Sequence, residues 1–138
     1  MRITNAALVG FVSALDAFCE KKLPQKISYA ITRNMMIAQK EYEIYEQQLK
    51  KIIRDFDKYI IKDENGKALF EKNGLPKIDD VEKENFAHEI NDLMCVEIDI
   101  DLYSIDISAF DYEDSDRFDP LSPADIMILQ SILCKKEE

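Results

Sequence analysis

The chain is short of the residues that build loops, disulfides and metal sites. Three glycines and four prolines in 138 residues leave few breaking points, so connections between regular elements should be few. The three cysteines, Cys19, Cys95 and Cys134, are odd in number, far apart and without a Cys-x-x-Cys pair. Such usage fits reduced thiols in a cytosol better than a disulfide framework. A single histidine, His88, cannot complete a zinc set, which needs four Cys or His ligands at short spacings. No run of about 18 apolar residues occurs, which excludes a transmembrane helix and leaves no membrane partner to expect. The apolar stretch 6–12 lacks the flanks of a signal peptide: only Arg2 precedes it, Asp16 interrupts soon after, and Glu20-Lys21-Lys22 offers no small-residue cleavage site. It reads as a core helix.

What is present points to one folded domain, 1–138. Hydrophobic residues make up 46% and charged residues 33%, a globular composition, and a chain of 138 residues can bury one sizeable core. The net charge of -10 is unevenly spread. Residues 1–61 carry ten Lys/Arg against seven Asp/Glu, a balance of +3, whereas residues 62–138 carry eight against twenty-one, a balance of -13. A split of this kind can orient a partner and argues against direct nucleic-acid binding by the acidic part.

Periodicity predicts a mainly α protein with a small β element, of the α+β class. Leu8, Phe11, Val12, Leu15 and Phe18 recur at helical spacing over 5–19, behind Thr4 and Asn5 as capping residues. Pro24 suits the first turn of a second helix. From there Ile31, Met35, Ala38, Tyr42, Tyr45, Leu49, Ile52, Phe56 and Tyr59 alternate spacings of four and three, with no Gly or Pro before about Ile61. A coiled-coil-like helix from Pro24 to Ile61 would be about 57 Å long, and its seam is too long for one small domain to cover, so a homo-oligomer is expected. Asp63-Glu64-Asn65-Gly66 is a turn signal that predicts a short hairpin or a helix-ending loop, and Asn73-Gly74 before Pro76 marks a second turn. A third helix from Asp79 or Asp80 to about Met94 would turn Val81, Phe86, Ile90, Leu93 and Met94 inward, with His88 facing away. Over 96–103, Val96, Ile98, Ile100 and Leu102 alternate with Glu97, Asp99, Asp101 and Tyr103, the pattern of a half-buried strand with an acidic outer face; Ile105 and Ile107 extend it or begin a second strand. An acid-rich stretch at 111–119 reads as a solvated loop, and Ser122-Pro123-Ala124-Asp125 as the capped start of a closing helix with Ile126, Leu129, Ile132 and Leu133 inward.

The string Lys22-Leu23-Pro24-Gln25-Lys26-Ile27-Ser28-Tyr29-Ala30-Ile31-Thr32-Arg33-Asn34 resembles a pattern in small, functionally uncharacterised proteins of tailed phages and prophages of Gram-positive bacteria. The order of parts is similar too: a short apolar helix, this string opening a long charged helix, an acidic strand, and a Ser-Pro-Ala-Asp helix. The resemblance implies a phage or prophage origin and a place in the host cytosol, and it carries over no catalytic residue.

Little in the chain points to catalysis. Asp63, Asn65 and Gly66 superficially suggest a calcium loop, but in that frame the first ligand falls on Ile61 and the closing Glu on Lys72. Glu97, Asp99 and Asp101 share a strand face without a nucleophile or phosphate loop, so they read as an acidic surface for a partner, not as a metal or acid/base site. No enzyme activity, metal or cofactor is expected. The best ligand candidate is the basic, aromatic start of the long helix, where Lys22, Lys26, Tyr29 and Arg33, with Asn34 beside them, recur at spacings of four, three and four. Such a face suits an anionic small ligand or an acidic host protein. The alternative is that these cations pair internally with the acids at 97–101. Two functions follow: an accessory or counter-defence factor that sequesters or inhibits a host component, through the basic face on an anionic small ligand such as a nucleotide or through the acidic region 97–119 as a nucleic-acid mimic, or a virion or tail assembly accessory whose long helix serves oligomerisation.

Overall fold

Thr4 sets the start of the first helix, its side chain accepting the Ala7 N–H at 3.2 Å. In the computed structural model, which describes residues 1–113 and 115–134, the elements run β1 (Arg2–Thr4), α1 (Asn5–Phe18), α2 (Gln25–Asp55), α3 (Lys83–Cys95), β2 (Glu97–Asp99) and α4 (Pro123–Leu133). Short 3-10 turns occupy Asp57–Tyr59 and Ile107–Phe110. The protein is thus mainly helical, with a two-stranded antiparallel sheet. The chain gathers into two compact units, residues 1–42 with 97–138, and residues 43–96; α2 contributes to both.

In the first unit the core is a helical one. Leu15 and Phe18 of α1, Ile27, Ala30 and Ile31 of α2, and Leu129 and Leu133 of α4 are buried together, while Leu8, Ala38 and Ile100 form a second cluster under the sheet. Each fully buried Leu or Ile contributes roughly 1.5–3 kcal/mol through lost apolar surface. β1 and β2 pair antiparallel with Arg2 opposite Asp99, Ile3 opposite Ile98 and Thr4 opposite Glu97. The regular strand is shorter than the alternation over 96–103 suggests, although Ile98, Ile100 and Leu102 do join the apolar cluster. α4 begins with a complete capping box: Ser122 Oγ accepts the Asp125 N–H and the Asp125 carboxylate accepts the Ser122 N–H, both at 3.1 Å. Its inward residues include Leu129 and Leu133, as the periodicity predicts. The acid-rich stretch is exposed at its described acidic residues, and only the half-buried Tyr112 and Phe118 rings meet there, edge to face at 5.6 Å; Asp114, within it, lies outside the described residues.

The second unit is built on the far half of α2. Tyr45, Leu49 and Ile52 are half-buried there, as is Phe56 just past the helix end, and the Phe56 ring meets Phe86 of α3 edge to face at 5.3 Å. Helix α2 stops at Asp55, short of Ile61, although neither Gly nor Pro intervenes. The backbone past that point is claimed elsewhere. Leu69 N–H donates to Ile61 C=O at 2.9 Å, Lys77 N–H to Leu69 C=O at 2.8 Å, and Ile61 N–H to Lys77 C=O at 2.8 Å, a closed triangle of three chain segments eight residues apart. Two tight hairpin turns link them. Gly66 and Gly74 take φ of 79° and 84° at the bends, the left-handed conformation that glycine adopts without strain, and each N–H closes a turn on Asp63 or Glu71 C=O at 3.0 Å. Of the two outcomes expected near Asn65-Gly66, the hairpin is the one formed. Val81 differs from expectation: it is 81% exposed, because Asp79 Oδ1 holds its N–H in a turn at 3.1 Å and α3 begins only at Lys83.

Candidate functional site

The start of α2 is organised by Pro24, whose carbonyl accepts the N–H groups of Ile27 and Ser28 at 3.0 and 2.9 Å. Ile27, Ile31 and Ala38 then turn inward, which leaves Lys26, Tyr29 and Arg33 outward. Lys22 precedes the helix and is also exposed. Its backbone is pinned twice to Asp119: the Lys22 N–H donates to the Asp119 carboxylate and the Asp119 N–H donates to the Lys22 carbonyl, both at 2.7 Å.

Arg33 is the best-defined member of the face. One of its guanidinium nitrogens donates to the Tyr29 hydroxyl at 3.3 Å, and its central carbon lies 4.9 Å from the centre of the Tyr103 ring. Tyr29 and Tyr103 meet edge to face at 5.7 Å, and Tyr29 remains 54% exposed. Two phenols therefore hold one cation at the surface. Tyr103 did not stand out in the sequence as a site residue; its place in the alternation of 96–103 marks only an outward residue. Beside this group opens a cleft of about 530 Å³ lined by Lys26, Tyr29, Tyr103, Ser104, Asp106 and Ser108. The carboxyl of Asp106 is held below its usual range, first by the Ser108 backbone N–H at 2.9 Å and with a smaller contribution from the Lys26 charge.

Asn34 stands apart from the other four. It is fully buried, its Oδ1 accepting the Tyr103 N–H at 2.7 Å and its Nδ2 donating to the Tyr103 carbonyl at 2.9 Å. Both ends of its amide are engaged with backbone, so it clamps the segment after β2 to α2.

The acidic residues are distributed differently from one another. Glu97 takes the Arg2 guanidinium at 3.3 Å, whereas Asp99 and Asp101 line an open cleft with Arg33 and Lys40. Among the described residues no ion pair joins Lys22, Lys26 or Arg33 to a carboxylate, and no three metal-ligating side chains gather at one point. Asp63 accepts the N–H groups of Asn65 and Lys67 at 2.8 and 3.0 Å, which closes the turn. His88 lies on the surface of α3 against Asp92 at 3.4 Å. No helix of the described residues is long and apolar enough to cross a membrane. The chain matches no protein-family model, no curated protein and no solved structure.

Proposed function

We propose that this chain is a non-enzymatic, phage-encoded accessory protein of the host cytosol that sequesters or inhibits a host component through the cationic, aromatic face opening α2. The observation that carries this reading is the treatment of Arg33. Its charge is positioned by Tyr29 and Tyr103 and left without a carboxylate partner among the described residues. Tyrosine and arginine are the residues that dominate binding hot spots, because they present large rigid surfaces with a polar tip. Exposed Lys26 extends the same face, exposed Lys22 precedes the helix, and the adjoining cleft can seat the acidic side chain or anionic group of a partner. Asn34 supports the face from below by fixing Tyr103.

Assembly into a virion or tail remains the second reading. It is favoured by the seam that continues through Tyr45, Leu49, Ile52 and Phe56, half-buried and suited to coiled-coil-like self-association of α2.

Affinity capture from infected host extract, with native mass spectrometry of the complex, tests the first reading. A captured component or ligand should be lost with Lys26→Glu and with Arg33→Glu, each weakening binding by at least about tenfold, while thermal melts stay unchanged. Capture that survives both changes refutes it. So does a lower melting temperature of Lys26→Glu or Arg33→Glu that neutralising Glu97 or Asp99 partly restores, because the cations would then serve the acidic strand.

A further inference from the structure

The two-stranded sheet of the first unit has an outer edge on each strand, and hydrogen-bond parity locates the groups that β2 leaves unpaired on its own. Met1 and Ile100 exchange both bonds: the Met1 amino group donates to the Ile100 carbonyl at 2.9 Å and the Ile100 N–H donates to the Met1 carbonyl at 2.8 Å. Bonded and non-bonded pairs alternate along an antiparallel ladder. Ile3 and Ile98 are therefore a bonded pair, while Arg2 and Asp99 are not. The backbone N–H and C=O of Asp99 point away from β1, and among the described residues no further strand pairs with that edge. Between this stretch and α2 lies a cleft of about 430 Å³ with Met36, Ile37 and Ile100 as apolar lining, Asp99 and Asp101 on the strand side, and Arg33, Lys40 and Glu41 on the helix side. Further along, the Tyr103 backbone is satisfied by the Asn34 amide, which does there what a neighbouring strand would do.

We infer that the open edge of β2 takes a short extended segment of a partner protein as a third strand, with basic side chains at alternate positions and apolar side chains between them. Strand addition satisfies the free N–H and C=O groups and is a common mode of peptide recognition. Charge identifies the occupant. On the other edge of β2, Arg2 already stands opposite Asp99 and pairs with Glu97 at 3.3 Å, so the acidic face takes a cation from its neighbouring strand. A segment on the open edge meets Glu97, Asp99 and Asp101 in the same way with its outward side chains. Its inward side chains fall on Met36 and Ile37, where an apolar residue packs and a misplaced cation meets Arg33 and Lys40 against the single helix-side carboxylate, Glu41, which favours one register. A second copy of β2 is disfavoured as occupant, because like carboxylates would face each other across the new pair. The cleft shares Arg33 with the basic face but contains neither Lys22 nor Lys26, so the Lys26→Glu arm of the test distinguishes the two sites.

The test uses the full chain and a synthetic eight-residue peptide alternating Lys and Val. Calorimetry follows binding, and amide exchange followed by NMR reports protection of Asp99. Controls are the Glu/Val isomer and a fully N-methylated Lys/Val peptide, which keeps its charge and loses its backbone donors. The expected result is binding with new protection at Asp99, weakened at least about tenfold by either control and by Asp99→Lys, and unaffected by Lys26→Glu. Asp99 is exposed, so a melting curve of Asp99→Lys that overlays the wild type shows that loss of binding is not loss of fold. Equal binding of the N-methylated peptide means surface charge alone and overturns the proposal. Absence of any binding overturns it as well, leaving acids that merely guard the edge. Self-association of the free chain that Asp99→Lys abolishes would make the occupant a second copy, which also overturns it.

Discussion

Replacing Asn34 by alanine should destabilise the first unit more than any exposed substitution on the same helix. The side chain is fully buried and makes two hydrogen bonds to one residue, at 2.7 Å to the Tyr103 N–H and at 2.9 Å to its carbonyl. A net hydrogen bond contributes about 0.5–1.5 kcal/mol, and a buried group left without a partner costs about 1–3 kcal/mol. Two such groups give a loss on the order of 2–4 kcal/mol, toward the lower end because Tyr103 lies at the surface and water can reach part of its backbone. Asn34→Asp separates the two bonds. It keeps the acceptor for the Tyr103 N–H but sets a carboxylate against the Tyr103 carbonyl, so burial should raise its pKa. A group whose folded pKa is raised binds its proton more tightly when folded, so this variant should gain stability relative to wild type as pH falls and lose it as pH rises. Urea unfolding followed by circular dichroism, at neutral and mildly acidic pH, measures both variants, with amide exchange at Tyr103 as the local readout. An alanine variant within about 0.5 kcal/mol of wild type, with Tyr103 still protected, would refute the clamp.

Ser122→Ala removes the acceptor for the Asp125 N–H and should cost about 0.5–2 kcal/mol, read as a lower melting temperature of a few degrees. Asp106 carries a depressed carboxyl pKa, so its contribution to stability is present above the unfolded value near about pH 4 and fades as pH falls through the folded value. The stability difference between wild type and Asp106→Asn should therefore shrink on acidification below that point; a constant difference across the range refutes the assignment. Sedimentation at micromolar concentration should find an oligomer that Leu49→Asp dissociates, and a monomeric wild type would mean that the half-buried seam closes within one chain.

Signals that act within a few residues were readable in the sequence, and those that depend on distant partners were not. Ser122-Pro123-Ala124-Asp125 contains both halves of its capping box, so the start of α4 needs nothing from outside. The end of α2 is the opposite case. No local residue forbids helix through Ile61, and the helix yields because the Ile61, Leu69 and Lys77 backbones bond to one another. A cue to that triangle did exist, in the recurrence of Asp63-x-Asn65-Gly66 as Glu71-x-Asn73-Gly74 eight residues later.

The basic face was half legible for the same reason. Helical spacing groups Lys22, Lys26, Tyr29 and Arg33, but it also interrupts the inward line Ile27, Ile31, Ala38 with Asn34, which a reading by charge and polarity placed among the ligand groups. An amide on an apolar seam requires partners for both its ends. Its two bonds go to Tyr103, 69 residues away, and that same residue supplies the ring beside Arg33. One long-range contact thus positions the surface aromatic through its backbone while the side chain remains outside, which couples the stability of the clamp to the shape of the face. If the face binds a partner, Asn34→Ala should weaken that binding without touching it, and Asn34→Gln, too long for the buried site, should do the same.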